Sequence, residues 1–116
     1  LRSLKKAAAT PRVGAQRGPN ATSGHTAQIK AEAKRLSDAG NEIVAGGGGR
    51  ERLIATPGGF REGRRPDILY LTPSGKLRGV NVGRTMADGT PVPREVEALQ
   101  DLNGPGKLPT VFVPYS

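Results

Sequence analysis

The stretch R-R-P-D-I-L-Y-L-T-P-S-G-K-L-R-G-V-N-V-G-R-T, residues 64–85, decides the fold. Pro66 to Leu71 reads as a strand rich in Ile, Leu and Tyr, and Leu77 to Thr85 as a second. Pro73-Ser74-Gly75 is the turn between them: Pro presets φ at the first turn position and Gly supplies the left-handed one. A three-residue loop makes Thr72 and Lys76 the closing pair. Antiparallel partners then follow outward: Leu71 with Leu77, Leu69 with Gly79, Asp67 with Asn81, Arg65 with Gly83. Alternation puts all of these on one face. Asp67 and Asn81 are therefore expected side by side, and Arg65 over the space that Gly83 leaves empty. A slip of one residue would move every side chain to the other face, so this register is a sharp expectation.

Around the hairpin the chain supplies helices and further strands. Residues 26–39 read as a helix, capped by Ser23 or Thr26 and ended by Gly40 and Asn41, with Ile29, Ala33 and Leu36 as its apolar stripe. Glu32 lies at the edge of that stripe. Asn41–Ala45 is a short strand. Gly46–Gly49 follows it without the G-K-[ST] of a P-loop, and so reads as a hinge or a place where backbones approach closely. Arg52–Ala55 is a strand with a loop after it. Residues 92–103 form a second helix, with Pro93 in its first turn, Glu95 and Glu97 suited to its N-terminal dipole, and Gly104-Pro105 ending it. Glu95, Ala98, Leu99 and Leu102 share one face; Arg94, Glu97 and Asp101 share another. Thr110–Val113 is a continuous apolar run suited to a sheet interior. The order implies an α/β or α+β mixed sheet, with a central hairpin and a helix at either side.

Composition removes whole classes of function. The chain has 116 residues, enough for one domain with a thin core, since only 34% are hydrophobic. No apolar run approaches the ~18 residues of a membrane span. The first residues carry no apolar h-region, so no signal peptide is expected there. With no Cys there is no disulfide, thiolate nucleophile or Cys-ligated metal. A single His, His25, excludes His-pair catalysis, and no G-x-S-x-G supports a Ser/His/Asp triad. What remains is carboxylate chemistry.

Charge is uneven. The net charge is +8, yet residues 1–31 hold six basic residues and no acid, while the rest of the chain nets only +2. Residues 1–22 therefore read as a basic linker or arm, and 23–116 as the functional domain. Within the domain the candidates are Glu32, Asp67, Asn81 and Glu95, with Arg61, Arg64, Arg65, Arg84 and Arg94. Carboxylates beside an amide oxygen suit Mg²⁺ or Mn²⁺. Such an ion activates water and neutralises a phosphodiester transition state, while arginines bind the phosphates.

These residues resemble a known family. Pro-Asp, a dozen residues, then an acid or amide on a hairpin, preceded by a helical Glu, is similar to the restriction-endonuclease-like, or PD-(D/E)XK, nuclease fold. The pieces N-E-I-V-A-G-G-G-G (41–49), R-R-P-D-I (64–68), G-V-N-V-G-R-T (79–85), P-R-E-V-E-A-L-Q-D-L (93–102) and F-V-P-Y (112–115), in that order, resemble the C-terminal toxin domains of bacterial polymorphic toxins of the Rhs and contact-dependent type. The resemblance implies a secreted effector acting in the cytoplasm of a target bacterium. It implies a metal-dependent DNase and a cognate immunity protein, here expected to be acidic. Glu32 matches the helical carboxylate and Asp67 the metal-binding Asp. Asn81 stands where the motif has Glu or Asp, and Gly83 where it has Lys. Arg65 or Arg94 is then expected to supply the missing cation, and Glu95 the missing carboxylate at a metal held by Asp67 and Asn81. An RNase on the same scaffold, and a nucleic-acid-binding module that has lost catalysis, are the alternatives.

Overall fold

The structure is a computed structural model that describes residues 23–115. The proposed basic arm, 1–22, and the side chain of Ser23 as a cap lie outside the described residues. The elements run α1 (Ser23–Asp38), β1 (Glu42–Gly46), β2 (Ile54–Ala55), β3 (Gly63–Arg64), β4 (Ile68–Leu71), β5 (Leu77–Gly83), α2 (Pro93–Asn103) and β6 (Thr110–Pro114). A four-stranded mixed sheet has the order β1-β4-β5-β6, and β2 with β3 forms a separate two-stranded sheet. The fold is α+β.

The hairpin has the register that its turn dictates. Leu71 faces Leu77, Tyr70 faces Arg78, Leu69 faces Gly79 and Ile68 faces Val80. Thr72 N–H donates to Lys76 O at 2.8 Å, Gly75 N–H returns to Thr72 O at 2.8 Å, and Gly75 takes φ of 85°. Alternation along β4 and β5 then makes two faces. Ile68, Val80 and Val82 meet Ile29, Ala33 and Leu36 of α1, the stripe read from its spacing. Leu69 faces the other way and meets Leu102 of α2 and Leu108. Each helix thus closes one side of the sheet.

Two elements depart from the sequence reading. The apolar run of β6 does not lie in the sheet interior. It is an edge strand, paired in parallel with β5 alone, and Val111 is 59% exposed. An apolar run marks β-propensity, but position in the sheet depends on which connection brings it in. Here α2 is the crossover that a parallel pair requires. The segment after β2 is also not plain loop, because Gly63–Arg64 returns to pair with Ile54–Ala55.

The glycine run joins backbone to backbone. Gly46 has φ of 70°, and a Cβ there would stand 2.1 Å from the carbonyl oxygen of Asp67, so no side chain fits. Gly47 N–H donates to that same oxygen at 2.9 Å. Of the two sequence readings of this run, the close approach is the one realised. Its effect is to fix the main chain of Asp67. Among the described residues no helix is long and apolar enough to cross a membrane.

Candidate active site

The ladder between β4 and β5 ends at Ile68 and Val80, and Asp67 turns its side chain into the place of the next rung. Its Oδ2 accepts the N–H of Val82 at 2.7 Å. Its own N–H donates to Asn81 Oδ1 at 3.3 Å. The expected neighbourhood of Asp67 and Asn81 is therefore present, with the two residues in different employment. Asn81 is buried, and its oxygen holds the main chain of Asp67.

His25 reaches this point from the start of α1. Its Nε2 donates to Val82 O at 2.9 Å and lies 3.6 Å from Asp67 Oδ2. Its ring meets Tyr115 edge-on, with centroids 5.3 Å apart. From α2, Glu95 comes down over Gly83, where a Cβ would stand 2.7 Å from the Glu95 carboxyl carbon. The space over Gly83 thus belongs to Glu95, and not to Arg65 as the alternation alone suggested. Arg65 is exposed at the cleft wall.

These side chains floor an open cleft of about 470 Å³ whose walls carry Arg61, Arg64, Arg65 and Arg94. An adjoining hollow of about 190 Å³ shares His25, Val82, Arg94 and Glu95 and adds Arg84 and Tyr115. Arg84 donates from Nε to the Tyr115 hydroxyl at 3.1 Å. The structure therefore brings together Asp67, Asn81, Glu95, Arg61, Arg64, Arg65 and Arg94, with Arg84 next door. Glu32 is not brought in. It is buried on α1 and closed by Arg35 one turn on, whose Nε donates to both carboxylate oxygens at 3.1 and 3.2 Å. Two residues not proposed from the sequence are present instead: His25 and Glu51. Glu51 sits on the irregular segment before β2, where no periodicity aims a side chain. His25 carried a weak signal as the chain's one imidazole at a helix head.

The acids of the cleft are held unlike free carboxylates. Burial pushes the pKa of Asp67 up, and the Val82 N–H and His25 offset this only in part. Burial raises Glu51 too, and so do the charge and the adjacent carboxyl of Asp67. Glu95 is raised by burial first and then by Asp67. Asp67 thus raises both acidic neighbours, while its hydrogen bond with Glu51 pulls Asp67 itself down, and the group sits beside a rim of arginines.

A divalent cation tests this arrangement. The set Asp67, Asn81 and Glu95 does not form a three-ligand cage, since Asn81 Oδ1 already accepts the Asp67 N–H. Among the described residues no group of three His, Cys, Asp or Glu side chains converges as metal ligands. Mg²⁺ often takes only one or two carboxylates and completes its shell with water and substrate phosphate. Asp67 and Glu95, two carboxylates that repel across the cleft floor, fit that lesser requirement.

No protein-family model, curated protein or solved structure matches the chain.

Proposed function

We propose that the domain is a nuclease that hydrolyses phosphodiester bonds of DNA. The observation that carries this reading is the arginine-walled cleft with Asp67, His25 and Glu95 on its floor. Arginine binds phosphate through paired N–H donors, so the walls orient a backbone across the floor. A carboxylate raised toward neutrality is a better proton acceptor than one in water, which suits Asp67 or Glu95 to take the proton of an attacking water. His25 stands where it can return a proton to the leaving oxygen. A bound Mg²⁺ or Mn²⁺, held by Asp67 and Glu95, would supply charge neutralisation at phosphorus and a more acidic water.

The resemblance to polymorphic toxin domains supplies the biological setting of the proposal. In it, the domain has a restriction-endonuclease-like core, enters a rival bacterium, works in its cytoplasm and is held in check by an acidic immunity protein. The positive cleft is the surface such an inhibitor would cover.

The test incubates plasmid DNA, single-stranded DNA and total RNA with purified protein, with Mg²⁺, with chelator, and with Asp67→Ala. DNA cleavage that needs Mg²⁺ and Asp67 is the expected outcome. Cleavage of RNA alone assigns the ribonuclease alternative. Intact DNA and RNA in every tube would overturn the enzyme and leave a binding module.

A further inference from the structure

Phe60 is an aromatic ring that the fold does not use. It is 63% exposed in a chain with only four Phe and Tyr residues. A lone exposed apolar residue is ordinary, but this one is firmly presented. Its N–H donates to Asp101 Oδ1 at 2.9 Å, and the N–H of Arg61 donates to Oδ2 at 3.0 Å. The Thr56 hydroxyl donates to Arg61 O at 2.6 Å from the other side of the loop. Asp101 is itself buried on α2, where Arg64 donates to its Oδ2 at 2.9 Å. The backbone is fixed and the ring is left in water.

Consecutive residues of this loop line two different hollows. Arg61 lines the cleft above Asp67. Phe60 lines a separate hollow of about 340 Å³ with Gly58, Gly59, Gln100, Asp101 and Pro105. A cation turned to one hollow and a flat apolar ring to the next match the two ends of a nucleotide, its phosphate and its base. Stacking on an aromatic ring is available to a base only when it has left the duplex stack. We infer that Phe60 is a stacking platform for a nucleobase next to the phosphate held by Arg61 and Arg64, so that the domain engages single-stranded nucleic acid. The place of the phosphate rests on the nuclease reading; the stacking is a binding property and needs no cleavage.

The sequence contains no Trp, so Phe60→Trp installs one indole reporter. Placed in the Asp67→Asn background to prevent turnover, it is titrated with a single-stranded DNA oligonucleotide, its RNA counterpart, an abasic strand of equal length, and the blunt duplex. Quenching by the intact strands, little quenching by the abasic strand, and at least tenfold weaker binding of the duplex are expected. Phe60→Ala and Phe60→Leu should each bind the intact strand about tenfold more weakly, with unchanged circular dichroism. The DNA and RNA arms rank the two sugars. Equal binding of intact and abasic strands, equal binding of strand and duplex, or full affinity in Phe60→Ala would overturn the inference. Quenching without cleavage by the native protein sinks the nuclease and leaves the platform standing; duplex cleavage without quenching does the reverse.

Discussion

Asp67 and Asp101 are both withdrawn from solvent, yet their surroundings push them in opposite directions. Burial raises Asp101, but the N–H groups of Arg61 and Phe60 and the Arg64 guanidinium outweigh it and hold the carboxyl below the usual range. Burial also raises Asp67, and here one backbone N–H and a histidine do not outweigh it. A hydrogen bond with Glu51 lowers Asp67 further without reversing the shift, and the charge of Asp67 in turn raises Glu51 and Glu95. The difference separates two uses of one side chain. A carboxylate whose acceptors are filled holds a loop in place. One with fewer donors, among other acids and beside a rim of arginines, has surroundings common at functional sites.

The two regions can be set against each other by the same small change. Gly59 lies under Asp101, where a Cβ would stand 2.5 Å from Oδ1, and Gly83 lies under Glu95, where it would stand 2.7 Å from the carboxyl carbon. Asp101 is fixed by three donors and has nowhere to go. Gly59→Ala and Asp101→Ala should each lower the melting temperature by roughly 10 °C or more, read by circular dichroism. Glu95 is a flexible side chain at an open cleft. Gly83→Ala should move Tm by less than about 3 °C and cut cleavage by at least about tenfold, because it displaces the carboxylate. Comparable melting of both alanine variants would erase the distinction.

Asp67→Asn carries the comparison to activity. Cleavage should fall on the order of a hundredfold or more, while thermal stability holds or rises, since the amide ends the repulsion with Glu51 and Glu95. A Tm collapse in this variant would make Asp67 a structural residue like Asp101.

Stability against pH should show both signs. The pKa of Asp101 is lowered on folding, so its contribution is present above the ordinary carboxylate value near ~4 and is lost as pH falls through the lower, folded value. Asp67, Glu51 and Glu95 are raised, so their contribution is full below the ordinary value and is lost as pH rises through their higher, folded values. A Tm series across this range should peak between the two limbs. Asp67→Asn should flatten the limb toward neutral pH and leave the acid limb intact. The smallest effect is expected at the cleft wall. Arg65→Ala should weaken substrate binding severalfold and leave Tm unchanged, whereas Arg64→Ala should lower both, since Arg64 also holds Asp101.

The hairpin was legible because its turn chemistry fixes the register, and register fixes faces; hence the meeting of Asp67 and Asn81 followed from residues 64–85. The helices were legible from spacing, and with them Glu95. Other features depend on tertiary approach. Glu32 has the burial of a site residue, but it pairs with Arg35 at i+3 and does not line the cleft. His25 enters the cleft only because α1 packs on the far face and its first turn overhangs the end of the sheet. Asp101 shares a helix face with Arg94 and Glu97, a pattern that ordinarily means solvent. Its burial comes from the loop before β3, which no periodicity announces. The apolar run of β6 gave the strand, but not its place at the edge.

The parallel pairing of β5 with β6 also sets an order in time. The β4–β5 hairpin closes over a three-residue turn and costs little loop entropy, whereas β6 docks only after α2 has crossed over. Because α2 carries both Glu95 and Asp101, the cleft carboxylate and the clamp on the Phe60 loop arrive in the same late event. Pulse-labelled hydrogen exchange should therefore protect Tyr70 and Arg78 before Val113. A chain that reaches its place of action unfolded would remain chemically silent until that last strand is in place.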